Sequence, residues 1–475
     1  MEKTSGKNIY FIGIGGIAMS AVAGLAKDRG WSVQGSDSED VYNPSKAVLE
    51  KFNIPFVIGY ARENIEKSFN GAGPDFVIVT AALNDSNLEI AYAKEKGIEI
   101  LSFPEALSRI ISGMRKIVVV GTHGKSTTSG LLGHTLKVLA DSSFLVGGVL
   151  VNYESNFYSG SGPDMVVEGD EYISSDSDRR PKFMHYHPDI LLINNIDFDH
   201  PDVYPTLQDM KNSFLGLVKS LAPTATIIYN FDDANVREVV ADSPCTKISF
   251  GFSNSADIQA IGEPKLLDDN NFGTVVKIKD GQEFTIQTIF PGKTYAYDFL
   301  GALSAILYAY PHADYKRLQE VMLGFKGIKR RFEIISDKDP IVIDDYAHHP
   351  TAVRGTLQAA RQKYPGRRIV CFFEPHTYSR TKETLGDLAT SFDDANLAYI
   401  AEVYPAREKR LPSSISGEEV VEKVREHNSN THYVKNVQDA LAQYQKEAKK
   451  GDIVLVMAVG AFNNLALDIK ENIKF

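Results

Sequence analysis

The run Lys116-Ile117-Val118-Val119-Val120-Gly121-Thr122-His123-Gly124-Lys125-Ser126-Thr127 decides the fold. Its first half is the strongest apolar strand pattern in the chain, its middle turns through glycine, and Lys-Ser-Thr opens a helical pattern. Strand, glycine turn and helix in that order make a phosphate loop. Backbone amides and Lys125 would hold the phosphates of a nucleoside triphosphate, and the Ser126 hydroxyl would ligate Mg2+. A full-length loop of this type needs glycine where Val119 stands, so this one is shortened.

Downstream, the acidic clusters Glu168-Gly169-Asp170-Glu171 and Asn194-Asn195-Ile196-Asp197-Phe198-Asp199-His200 each follow a predicted strand. Hard oxygen ligands at strand ends suit magnesium. Upstream, Gly13-Ile14-Gly15-Gly16-Ile17-Ala18 fits G-x-G-x-x-A between a strand and a helix, with Gly35-Ser36-Asp37 ending the next strand. Taken alone, that pattern would mean NAD with Asp37 on a ribose. Toward the C-terminus, Lys329-Arg330-Arg331-Phe332-Glu333 precedes a further alternating region. There Asp344-Asp345-Tyr346-Ala347-His348-His349-Pro350 and Glu374-Pro375-His376-Thr377-Tyr378-Ser379-Arg380 follow successive strands. Histidine and arginine at parallel strand ends suit an anionic substrate.

These rhythms divide the 475 residues into three α/β domains. The reading is a Rossmann-like N-terminal domain over 1–112, a P-loop NTPase-like central domain over 113–327 and a Rossmann-like C-terminal domain over 328–475. Within the central domain, 257–289 alternates like a small antiparallel insertion. Composition is that of an ordinary globular chain, 43% hydrophobic and 24% charged. The net charge of −10, with no basic block, argues against nucleic acid. Two cysteines, Cys245 and Cys371, form no disulfide framework, and no apolar run reaches membrane-spanning length, so a cytoplasmic location without membrane partners is expected. Lys3 and Lys7 ahead of the nearly uncharged stretch 9–26 imitate a secretion signal, but Gly13, Gly15, Gly16 and Gly24 interrupt it.

Taken in order, G-I-G-G-I-A-M-S, G-T-H-G-K-S-T, E-G-D-E-Y, N-N-I-D-F-D-H, K-R-R-F-E, D-D-Y-A-H-H-P and E-P-H-T-Y-S-R-T resemble the Mur ligases of bacterial peptidoglycan synthesis along essentially the whole chain. The resemblance implies an ATP-dependent ligase that joins the lactyl carboxylate of UDP-N-acetylmuramate to an amine through an acyl phosphate. Two members take that acceptor, one adding L-alanine and one adding the tripeptide L-Ala-γ-D-Glu-meso-diaminopimelate during recycling. The stretches from Gly35 to Tyr60 and from Asp170 to Tyr186 look more like the tripeptide-adding member, which is the expectation. Glu374 to Thr381 looks more like the L-alanine-adding one, which is the alternative.

By the same resemblance, Lys125, Glu168 and His200 are catalytic, and Ser126, Glu168 and His200 hold magnesium. Gly121 to Thr127, Asn195, Arg331 and Asp345 meet ATP. Gly15, Gly16, Ser36 and Asp37 face the UDP-sugar, and Tyr346, His348, His376 and Arg380 face the incoming peptide. Two departures stand out: Lys211 is offset from the lysine that relatives carbamylate, and the usual His-Asn of the nucleotide-binding helix is Tyr297-Asp298. An NAD-dependent oxidoreductase is the competing reading, but it leaves the second phosphate loop without purpose. A non-catalytic ATP-binding regulator leaves the His and Arg series unexplained. Because no single domain holds all the reactants, closure of the domains is expected.

Overall fold

The structure, a computed structural model, describes residues 6–175, 178–268, 270–406, 408–473 and 475. Lys3 lies outside them. The fold is the expected three-domain α/β one, with a sheet in each domain. Packing gathers the chain into two compact units. One comprises residues up to Ile196, Met210–Ser249 and Gly301–Val321, and the other Asp197–Asp209, Phe250–Leu300 and Met322 onward.

In the first unit, β1 (Asn8–Ile12), β2 (Ser32–Asp37), β3 (Phe56–Ile58), β4 (Phe76–Val79) and β5 (Glu99–Ser102) form a parallel sheet in the order β3-β2-β1-β4-β5. The order reverses between β1 and β4, so their carboxyl ends flank the crevice where such sheets bind ligands. The stretch 9–26 that imitates a secretion signal supplies β1 and the helix Ile17–Asp28. Gly24 of that helix is required by space, since a Cβ there would lie 2.6 Å from the Phe157 ring.

The same unit carries β6 (Arg115–Val120), β7 (Ser143–Leu150), β8 (Ser155–Tyr158), β9 (Asp164–Glu168), β10 (Ile190–Ile193), β11 (Thr226–Asn230) and the residues up to Ser249 of β12 (Thr246–Gly251). Their order is β12-β11-β10-β6-β9-β7-β8. Strand β6 is central, parallel to both β9 and β10, and Ile117 to Val120 are fully buried. A strand buried on both faces reads as a continuous apolar run, which is why this one dominates the sequence.

In the second unit, β13 (Ile258–Leu266), β14 (Phe272–Ile278) and β15 (Glu283–Thr288) form the expected antiparallel meander. It packs with the C-terminal domain: Gln362 Nε2 donates to the Pro264 carbonyl (2.7 Å), and Gly292 N donates to Gln362 Oε1 (2.6 Å). The third sheet holds β16 (Glu333–Ser336), β17 (Ile341–Asp345), β18 (Ile369–Phe373), β19 (Leu397–Ala401), β20 (Thr431–Val434) and β21 (Ile453–Met457), ordered β16-β17-β21-β18-β19-β20. Only β16 runs antiparallel. Both cysteines are free and buried, and burial pushes the Cys371 thiol far up. Among the described residues no helix is long and apolar enough to cross a membrane.

Candidate active site

The phosphate loop leaves β6 at Gly121, whose φ of +142° admits glycine alone in comfort; a Cβ there would lie 3.1 Å from the Asn195 backbone. Gly124, at φ +78°, is the N-cap of the helix Lys125–Ala140. Asn195 fixes the loop between them. Its Oδ1 accepts from Thr122 N (3.0 Å) and His123 N (2.7 Å), while its Nδ2 donates to the His123 carbonyl (3.0 Å). Asn195, expected to meet ATP, thus shapes the loop that would hold it.

Lys125 folds back over the loop. Its Nζ donates to the Gly121 and Thr122 carbonyls (2.7 and 3.1 Å) and pairs with Glu171 (2.7 Å), whose side chain is 2% exposed. Burial works against the ammonium, but Glu171, Asp170 and Glu168 outweigh it and hold its pKa above the ordinary lysine value. Burial likewise opposes the Asp170 carboxylate, yet Lys182 (2.5 Å) and Lys125 bring it down to about 2. Glu168 ends β9 and is held by Gly147 N (2.6 Å), Ser126 Oγ (3.0 Å) and Ser129 Oγ (3.3 Å). Ser126 and Glu168 present hard oxygens side by side at a helix start, a donor set that fits magnesium shared with phosphate.

At the N-terminal glycine turn, Gly13 N and Ile14 N donate to the Ser36 carbonyl (2.9 and 3.0 Å), and Gly15 N to Asp37 Oδ2 (2.7 Å). A Cβ on Gly15 would lie 2.8 Å from that oxygen, whereas Gly16 has room for one. Ser36 departs from the expected ligand contact. Its side chain is fully buried and its hydroxyl donates to Glu89 (2.5 Å), so it supports the turn from beneath. Gly13 lies against Thr80. From Thr80 a cavity of about 890 Å³ runs past Leu83, Asn84, Ser102 and Glu105 to Arg180, at the carboxyl ends of β4 and β5.

The second unit gathers the remaining predicted residues. Arg380 Nε and Nη2 both reach Asp199 Oδ1 at 2.7 Å, with both side chains under 8% exposed, and Nη1 meets His376 Nδ1 at 2.7 Å. A guanidinium can only donate, so His376 Nδ1 accepts and its proton sits on Nε2. The His348 Nδ1 lies 2.8 Å from the Tyr346 carbonyl, which can only accept, leaving the His348 Nε2 lone pair free of that bond. The two imidazoles face each other at 5.3 Å, and His376 stacks on Tyr404. Burial, then Arg380, lowers both: His376 to about 4 and His348 well below the histidine range. Burial would raise Asp199, but His200, Arg380, His348 and His349 hold it far below the usual carboxylate range.

His200 shares this unit, at φ +55° with Nε2 3.8 Å from Asp199 Oδ2. Asp345 also works inward: its oxygens accept from Phe332 N (2.6 Å) and Ala347 N (2.7 Å), tying the Arg331 turn to the end of β17. The Arg331 guanidinium lies over the Tyr346 ring at 5.0 Å. Lys211 pairs with Glu238 (2.5 Å). Sequence reading placed Glu171 and Asp199 only within acidic clusters suited to magnesium, not as the partners of Lys125 and Arg380, and gave no role to Glu89. The first two lie inside quoted motifs, but Glu89 carries no local signal, being one acid on an ordinary helix.

Residues 8–115 match the Mur ligase family catalytic domain, 119–306 the Mur ligase middle domain, and 330–460 the Mur ligase glutamate ligase domain. The chain is 33% identical over 461 residues to a UDP-N-acetylmuramate–L-alanine ligase of Sulfurihydrogenibium sp. (strain YO3AOP1), covering 97% of this chain and 96% of the relative. Among solved structures it is similar to UDP-N-acetylmuramate–alanine ligase of Thermotoga maritima, with a TM-score of 0.74, 24% identity and 98% of each chain covered. It is also similar to a murein peptide ligase of Psychrobacter arcticus, with a TM-score of 0.68, 28% identity, and 99% and 100% covered.

Proposed function

The chain belongs to the Mur ligase family of ATP-dependent, C–N bond-forming ligases, and from that premise we propose that it joins UDP-N-acetylmuramate to L-alanine. The observation that carries the choice of amine is the likeness to L-alanine ligases along 97% of the chain. It displaces the tripeptide expected from the sequence as the first reading.

The domain boundaries near 112 and 327 then divide the labour. Gly15, Gly16 and Asp37, with Ser36 beneath them, would seat the UDP-sugar. Thr122 to Thr127 would wrap the phosphates of ATP, with Arg331 and Asp345 contributing from the junction with the third domain. Lys125, released from Glu171, would stabilise the phosphoryl group as the lactyl carboxylate attacks it, giving acyl phosphate and ADP. Magnesium at Ser126 and Glu168, and at His200, would neutralise phosphate charge. Arg380 would take the carboxylate of the incoming amino acid, positioning its amine between Tyr346, His348 and His376 to displace phosphate.

A second reading, the tripeptide, is favoured by one feature of the second unit. Tyr404 of the His376–Tyr404 stack also lines a cavity of about 360 Å³, whose other lining residues include Val403, Val437, Phe462 and Lys435 as well as Glu374 and Glu402, more room than an alanine methyl group uses. Assaying the two amines side by side, with product mass and phosphate release as readouts, separates them. L-alanine as the better substrate upholds the first reading, and preference for the tripeptide replaces it. Phosphate release indifferent to omission of UDP-N-acetylmuramate would refute both.

A further inference from the structure

Glu89, in the helix Leu88–Glu95, is fully buried and has no cationic partner among the described residues. Four donors converge on it: Ser36 Oγ at 2.5 Å, Asn64 Nδ2 at 2.6 Å, Ala61 N at 3.3 Å and Tyr10 Oη at 3.5 Å. They come from β1, the end of β2 and, after β3, the short helix Arg62–Glu66 with its N-cap Ala61. Asn64 Nδ2 and Ala61 N can only donate, so the Glu89 oxygen they share must be an acceptor, while the Ser36 hydroxyl opposite the other oxygen can donate or accept. Burial of a charge is retained only where hydrogen bonds hold it in place. Desolvation raises the Glu89 pKa, and the bonds from Ser36, Asn64 and Ala61 oppose that rise.

What Glu89 holds is the support of the glycine turn. The Ser36 carbonyl takes Gly13 N and Ile14 N, the Asp37 carboxylate takes Gly15 N, and the Asp37 carbonyl takes Gly59 N (2.7 Å). Asn64 also donates to the Gly59 carbonyl (2.9 Å), closing the ring of contacts. Resting on the functional reading above, we infer that Glu89 is a positioning residue for the sugar nucleotide: without touching it, the carboxylate sets the end of β2 and thereby the amides of Gly13 to Gly16.

Steady-state kinetics and calorimetric binding of UDP-N-acetylmuramate to the full chain test this with Glu89→Ala and Asn64→Ala. Glu89→Ala, which removes both acceptor oxygens, is expected to raise KM and Kd for the sugar nucleotide at least tenfold. KM for ATP and for the amine should stay within twofold and kcat within threefold. Asn64→Ala, which removes one donor and leaves the carboxylate, should shift the same parameter alone by a smaller factor. If Glu89→Ala does not fold, Asn64→Ala decides. Unchanged affinity for the sugar nucleotide, or parallel shifts for all three substrates, overturns the positioning role. A wild-type chain that binds no UDP-N-acetylmuramate overturns the functional reading and this inference with it.

Discussion

Lys125 and Arg380 meet the same problem in different units: each is a cation that the proposed function gives to a substrate, and each is already held by a carboxylate of the chain. Glu171 holds Lys125 at 2.7 Å and Asp199 holds Arg380 at 2.7 Å. Under the proposed function, substrate anions would replace these partners in a site that is neutralised yet already shaped. Lys125→Ala removes the charge that phosphoryl transfer needs. Phosphate release should fall by about 10²- to 10³-fold, the range for losing one transition-state contact, while calorimetry finds UDP-N-acetylmuramate binding unchanged. Asp199→Ala leaves Arg380 without its buried partner. KM for the amine should change while KM for the sugar nucleotide does not, and equal changes in both would mean that Asp199 merely supports the fold.

At the scale of elements, the two glycine turns differ in what they tolerate. Gly121→Ala forces a side chain into φ +142° against the Asn195 backbone. A loss of about 1–3 kcal/mol is expected, read as a lower denaturation midpoint together with weaker ATP binding. Gly16→Ala has the space and should fold normally. Much of this architecture was legible. The apolar run at 116–120 is a strand, and the antiparallel insertion read over 257–289 is there as the meander β13 to β15. Short or interrupted strands left no comparable pattern: β3 is only three residues long, β5 has Glu99 and Ser102 at its ends, and β7 is broken by Gly147 and Gly148. In the site, the motif residues could be read because their chemistry is local. Glu89 with Ser36, 53 residues apart, and Asp199 with Arg380, 181 apart, could not, because only the fold brings those pairs together.

For the whole molecule, acidity and stability are linked through carboxylates shifted in opposite directions. Asp170, at about 2 in the folded chain, contributes stability that is complete above the unfolded value near pH ~4 and is lost as pH falls through about 2. Asp344 does the reverse. Burial, against the pull of Arg330, raises it to about 6, so the folded chain holds a proton that the unfolded chain releases between pH ~4 and about 6. Stability contributed by this group therefore declines as pH rises across that interval. Asp344→Asn should flatten the decline in thermal midpoint between pH ~4.5 and ~7, with an upper limit of about 3 kcal/mol from the shift itself. A variant with the wild-type slope would show that the group does not titrate there.

The two cysteines have a practical consequence. Cys245 and Cys371 are both buried, the latter within β18 with its thiol far above its ordinary pKa. Alkylating reagents act on exposed thiolate, so the folded protein should stay almost unlabelled while the denatured chain takes up two equivalents. A cysteine introduced at an exposed position of each unit would then be the reactive thiol of its unit. A pair of spectroscopic labels could follow the distance between the units as ATP, sugar nucleotide and amine are added one at a time, without first removing any native residue.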